Sequence, residues 1–285
     1  MIRFLGQGAA RPVATLALIC ATVLPASAHV TLLAPNGGET LVAGTTVQVR
    51  WQIDIQHNQL NWDLWYSTTG SGGPWIVMAE NLPPGSFSAG SIHTYDWTLP
   101  NAVSNQVRVR VRMDNEYTDY EDISDGDLSI VYPTPLPDSF SIVRGVLTGG
   151  GLSDLFLSDD LRLDVRAGLT LFAGEPPLQV VVVGTSPVEV PGELRFKLES
   201  RVNTPGLTQS VQMFNYVTLL YEEVDLSVPG AMDGIVEVVI ITNPGRFVQA
   251  GTREMRAKVV YKQVGFTLLW PWSAGLDQTV WTIVP

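Results

Sequence analysis

Gln106-Val107-Arg108-Val109-Arg110-Val111-Arg112 alternates without a break between apolar and cationic side chains. Successive side chains of a strand point to opposite faces, so this run lays valine on one face and arginine on the other. A helix of the same residues would scatter both types around its axis. The run is therefore a strand of a sheet with one buried and one solvated face. Working outward, residues 30–33, 46–53, 62–67, 75–79, 92–97 and 127–131 are rich in Val, Ile, Thr and Trp and are separated by Gly, Pro and Asn. Seven short strands with turn signals between them predict a sandwich of the immunoglobulin or fibronectin type. Trp51 and Trp97 fall on faces directed to its core, and Met113 continues the alternating strand and packs there.

The second half reads in the same way. Leu194, Phe196 and Leu198 alternate with charged residues, 235–241 is a continuous apolar strand, and 255–261 alternates again. Pro133-Thr134-Pro135-Leu136-Pro137 separates the halves. Three prolines in five residues favour a stiff extended linker over a strand or helix. The chain thus divides into residues 1–28, a first sandwich at 29–132, a linker at 133–138 and a second sandwich, structural or docking, at 139–285. Fold class is all-β, with any helix limited to a turn or two.

Residues 1–28 read as a cleaved signal peptide: Arg3 and Arg11, an apolar run over 13–24, then Pro25-Ala26-Ser27-Ala28. Cys20 raises the question of a lipid anchor, but Ile19 is bulky where such a signal wants a small residue. Cleavage after Ala28 leaves 257 of the 285 residues, beginning at His29, and takes the net charge from −11 to −13. The remaining chain has no cysteine, so each sandwich must rest on a hydrophobic core. Its acidity disfavours nucleic acid and anionic lipid, and no later run is long enough to span a bilayer. The predicted location is extracellular or periplasmic.

Ala34-Pro35-Asn36-Gly37-Gly38-Glu39-Thr40, Ala43-Gly44-Thr45 and Val49-Arg50-Trp51 resemble the opening of a secreted β-sandwich module related to the fungal Kre/Knh-type cell-wall domain. Asp122-Ile123-Ser124-Asp125 resembles its last turn. The resemblance covers residues 30–131 and implies the fold; such modules serve many roles. From Pro137-Asp138-Ser139-Phe140 onward the chain resembles a C-terminal domain of extracellular bacterial proteins.

The chain has three histidines, His29, His57 and His93, all in the first half. If each strand reverses the direction of the last, the start of the first strand, the loop after the second and the start of the fifth all lie at one end of the sandwich. The acidic loop after the sixth strand joins them there. A histidine at a mature N-terminus chelates through its amino nitrogen and ring together, and a second ring opposite makes a three-nitrogen brace. All-nitrogen tetragonal sites suit Cu(II), with zinc as the natural competitor. The arrangement is similar to that of lytic polysaccharide monooxygenases and of periplasmic copper-resistance carriers, a resemblance that implies His29 is a metal ligand. Val30 after His29 and the lack of disulfides depart from the monooxygenases; Trp62, Trp65, Trp75 and Tyr66 offer a substrate face if one exists.

The expected function is a secreted copper-binding protein that uses His29, His57 and His93 for carriage, storage or redox chemistry. The alternative is a non-catalytic adhesion or cell-surface module, with a cell-wall or extracellular polysaccharide as partner and incidental histidines. A copper-dependent polysaccharide oxidase is a third reading. Residues 114–122 carry many carboxylates without the spacing of an EF-hand, and a solvated acidic turn is preferred there to a calcium loop. Gly149-Gly150-Gly151 and Asp159-Asp160 read as turns. The second half has no histidine and the mature chain no cysteine, so neither a Ser-His-Asp triad nor a cysteine nucleophile is arguable.

Overall fold

The computed structural model describes residues 29–170, 172, 174–266 and 268–285. The predicted signal peptide, Cys20 included, lies outside the described residues. None of the helices among them is long and apolar enough to cross a membrane.

Nine strands build the first sandwich: β1 (Val30–Ala34), β2 (Thr40–Val42), β3 (Thr46–Ile53), β4 (Asn61–Ser67), β5 (Ile76–Leu82), β6 (Ile92–Thr98), β7 (Ser104–Asp114), β8 (Tyr120–Ile123) and β9 (Leu128–Val131). One sheet has the order β1-β3-β6. The other runs β2-β9-β7-β4-β5, with β8 also pairing β7. The alternating stretch that predicted a half-buried strand is the centre of β7. Val107, Val109, Val111 and Met113 are fully buried there and the intervening arginines are not. They pack with Val30, Leu32, Trp51, Trp62, Leu64 and Trp97 into one core. The two strands beyond the seven expected are short. Tyr-Glu-Asp-Ile of β8 has no apolar alternation and is a strand because the upper half of β7 offers it a free edge, Met113 opposite Tyr120.

The second sandwich has ten strands: β10 (Ser139–Arg144), β11 (Val146–Gly149), β12 (Leu163–Arg166), β13 (Leu178–Thr185), β14 (Glu193–Val202), β15 (Leu207–Asn215), β16 (Leu220–Ser227), β17 (Gly234–Ile240), β18 (Glu254–Gln263) and β19 (Ser273–Val284). Its sheets run β10-β13-β18-β15-β16 and β11-β12-β19-β14-β17. Leu194, Phe196, Leu198, Met255, Ala257, Val259 and Trp281 lie in a second core, distinct from the first. The apolar run 235–241 largely forms β17, but at a sheet edge, where Ile235 is 60% and Val239 52% exposed. The two short helical turns are 3-10 turns at Leu152–Leu155 and Pro244–Phe247. Gly150 has φ +77°, and a Cβ on it would stand 2.1 Å from the Arg162 carbonyl oxygen, so this turn requires glycine.

The proline-rich segment is stitched to the second sandwich. Ile283 and Trp281 donate backbone hydrogen bonds to the carbonyls of Pro133 (2.9 Å) and Pro135 (3.4 Å). A proline carbonyl still accepts although its nitrogen has no hydrogen to donate.

Candidate functional site

His29 immediately precedes β1, and its carbonyl accepts the N–H groups of Asp54 (3.0 Å) and Ile55 (3.3 Å). These two bonds fasten the start of β1 to the end of β3, continuing the pairing of Val30 with Ile53. The chain then turns through residues 54–60, which carry His57, into β4. Gln59 holds that loop: only 3% exposed, it donates through Nε2 to the carbonyls of Pro84 and Ser86. Leu60 donates its N–H to the carbonyl of Asp114 at 2.7 Å, joining the same loop to the top of β7.

Three rings meet where these segments converge. His29 stacks on Tyr120 at 3.8 Å between centroids and 9° between planes. His57 lies 5.0 Å from His29 and 4.8 Å from Tyr120, tilted to both. His57 Nε2 is buried and has no hydrogen-bond partner. Leaving a buried polar atom unsatisfied costs about 1–3 kcal/mol, and this nitrogen is free of protein partners in a half-open cluster. The donor set, two imidazoles with a phenol stacked beside them, fits a late transition metal. Cleavage after Ala28 would add the His29 amino nitrogen to that set.

His93 stands apart from this cluster. The up-and-down course places it at the same end, since β1 starts, β3 ends and β6 starts there. However, His93 pairs with Trp51 across β3, on the opposite side from β1. Neighbouring strands lie about 4.8 Å apart, so roughly twice that separates the two backbones. Its ring lies inward, 5.8 Å from Trp51 in a stacked pose and 5.0 Å from Trp62. Its Nε2 is 3.2 Å from the carbonyl of Ser86. Burial holds its pKa below the ordinary histidine value, only partly opposed by that hydrogen bond. Gly85, at φ +64°, lies so close that a Cβ there would be 2.8 Å from His93 Cε1. Together with Gln59 and with Trp62, whose Nε1 donates to Pro84 at 3.0 Å, His93 anchors the 83–91 loop. Of the three rings expected to meet, those of His29 and His57 lie together, whereas His93 is engaged with Trp51, Trp62 and the Ser86 carbonyl.

The acidic loop beside the pair is internally engaged. Arg112 bonds Asp114 and Asp63, Asp119 accepts the N–H of Asn115, and Asp122 accepts the N–H of Leu32 at 2.7 Å. Tyr120 belongs to this stretch, and its place against His29 is set by β8, a strand in what the sequence predicts as loop.

The proposed aromatic face divides between the two sides of β4. Trp62 is in the core and Tyr66 packs against it. Trp65 and Trp75 are on the outer face with Arg110 between them, its Cζ 4.4 and 4.6 Å from the two ring centroids. Arg112 adds a further contact with Trp65 at 5.0 Å. Each such pair contributes about 0.5–1 kcal/mol at an exposed position.

A second polar cluster lies on the outer face of the second sandwich, where Asp160, Asp233 and Asp277 bring oxygen atoms within 4.8 Å of one another. No sequence signal points to it, because the residues belong to three distant segments.

No family model matches the chain, and no curated protein matches it. Among solved structures, the chain is similar to BiXyn10A CBM1 (8% identity, TM-score 0.31, 53% of this chain and 89% of the other). It is similar also to TmCBM61, solved with β-1,4-galactotriose (10%, TM-score 0.29, 53% and 88%). A third is TmCBM27, a carbohydrate-binding module described for specific mannan recognition (13%, TM-score 0.31, 53% and 97%). Likenesses this remote carry no argument about ligand or activity.

Proposed function

We propose that this is an exported binding protein whose first sandwich holds one copper ion between His29 and His57, with the second sandwich as a structural or docking module. The observation that carries this reading is the ring pair itself: two imidazoles 5.0 Å apart, one with a buried Nε2 that nothing in the protein satisfies. Copper bound there would supply one-electron chemistry or a cargo for transfer. The chain's own residues do the rest. The clamp from the His29 carbonyl to Asp54 and Ile55 fixes the first ring, Gln59 fixes the loop of the second, and Tyr120 covers one face of His29. Zinc is the competitor for the same nitrogens.

The test is metal uptake by protein whose first residue is His29. Titration with Cu(II) should saturate at one ion per chain, and His57→Ala should weaken binding at least a hundredfold, whereas His93→Gln should leave it within about threefold. Equal affinity in wild type and His57→Ala would overturn the assignment.

The outer face of β4 and β7 favours a second reading, a non-catalytic module for an extracellular or cell-wall polysaccharide. Trp75, half-exposed and steadied by Arg110, is an aromatic surface on which a sugar ring can stack. Retardation in affinity gels containing soluble polysaccharides, lost in Trp75→Ala and kept in His57→Ala, would establish it. Unchanged mobility across the common plant and microbial polysaccharides would remove it.

A further inference from the structure

An edge strand presents backbone N–H and C=O groups without partners, which a protein must either shield or use. Most edges of the two sandwiches are shielded. β1, β5, β10, β11 and β16 each pair with their neighbour across a shift in register. β2 has only three residues and β8 four, and β16 also carries Glu222, Glu223 and Asp225. β6 pairs without a shift but turns Thr94, Asp96 and Thr98 to solvent. Beyond β12, the outer side of β19 is covered by the carbonyls of Pro133 and Pro135.

β17 has none of these devices. It pairs with β14 over seven residues, Gly234–Ile240, without a shift. Among the described residues, no backbone hydrogen bond joins this strand to anything but β14. Ile235, Glu237 and Val239 point to solvent, and Glu237 is the only charge on the strand. Ile241 follows on the same face and is 69% exposed. A flat apolar edge of this kind accepts an added strand through main-chain hydrogen bonds.

We infer that β17 pairs antiparallel with β17 of a second copy of this chain, joining two five-stranded sheets into one continuous sheet across an isologous dimer. A two-fold axis perpendicular to the sheet sets outer side chains opposite outer ones, which restricts the register. Centred on Glu237, it would put two carboxylates face to face, a destabilising pair. Centred on Val238, it sets Glu237 opposite the second copy's Val239, and Ile235 opposite the second copy's Ile241. Within each copy Arg195 lies opposite Val239, and Lys197 opposite Glu237. Each interface carboxylate then has its own Lys197 on one side and, one strand beyond Val239, the other copy's Arg195. Arg195 Nη1 already reaches along the sheet to within 4.0 Å of its own Glu237. The edge is thus complementary to itself in both shape and charge. Stable interfaces bury about 800 Å² per partner from about 20–30 residues, and one strand supplies a fraction of that, so the dimer belongs to the weak, reversible class. The pairing is independent of the histidines and stands whether or not copper binds the first sandwich.

Sedimentation velocity of protein starting at His29, over about 1 to 200 µM, tests the inference. The weight-average mass should climb from monomer toward dimer with a Kd of about 10–100 µM. Val239 is 52% exposed, so changing it alters the edge without emptying the core. Val239→Glu sets like charges opposite each other across the two-fold and should weaken the dimer at least tenfold. Val239→Lys faces the second copy's Glu237 and should dimerise at least as tightly as wild type. Both variants should keep the circular dichroism of wild type. Wild type monomeric up to 200 µM, or a dimer that the two substitutions weaken equally or leave equally intact, overturns the inference.

Discussion

Replacing Gly85 by alanine tests whether His93 is an anchor and not a ligand. The backbone at Gly85 is left-handed, φ +64°, which disfavours a side-chain-bearing residue by about 1–2 kcal/mol. The added Cβ would also meet His93 Cε1 at 2.8 Å and Nδ1 at 3.0 Å, well inside ordinary contact. The ring would relieve this only by leaving its stack on Trp51 and its bond to Ser86, interactions together worth about 1–2 kcal/mol. The sum is a loss of about 2–4 kcal/mol from the first sandwich. At about 4–8 °C per kcal/mol for a domain of this size, its melting temperature should fall by at least about 8 °C. Differential scanning calorimetry reads that fall, and copper titration of the same variant should give an affinity within about threefold of wild type. A melting temperature within 2 °C of wild type, or a copper affinity reduced tenfold or more, would refute the reasoning.

Three further outcomes follow from the same geometry. His93 is favoured neutral in the fold, with a pKa below its ordinary value near 6.5; its contribution to stability should be complete above that value and fall away as pH drops through and below it, and His93→Gln should flatten this part of the urea-unfolding profile between pH 8 and pH 5. Trp281→Ala empties a fully buried position of the second core and should lower the stability of that sandwich by about 3–5 kcal/mol, read by urea unfolding, with the first sandwich little changed. His57→Ala removes a ring whose Nε2 has no protein partner, so the metal-free protein should lose less than about 1 kcal/mol in the same assay.

Much of the fold was legible because burial imposes a period of two. The valines of β7 and the alternating residues of β14 announce which way each side chain points, and strand reversal alone brings His29 and His57 to one end. The same period was available for His93. It lies four residues before Trp97, on the same face of β6, and Trp97 is a core residue, so His93 had to turn inward as well. Chain direction locates the end of a strand at which a residue sits, whereas parity decides the face, and for His93 it is parity that decides. Tyr120 was hidden because β8 borrows its order from the edge of β7 and carries no pattern of its own. Asp277 was hidden because a bulge shifts the register of β19, and no local feature of the sequence marks where the extra residue falls.

The most direct measurement is the electron paramagnetic resonance of one equivalent of Cu(II) bound to two forms of the protein, one starting at His29 and one keeping Ala28 before it. The account predicts a tetragonal spectrum with coupling to at least three nitrogens in the first form, and loss of the amino nitrogen with at least tenfold weaker binding in the second. Identical spectra and affinities in the two forms, or a spectrum unaltered by His57→Ala, would contradict it.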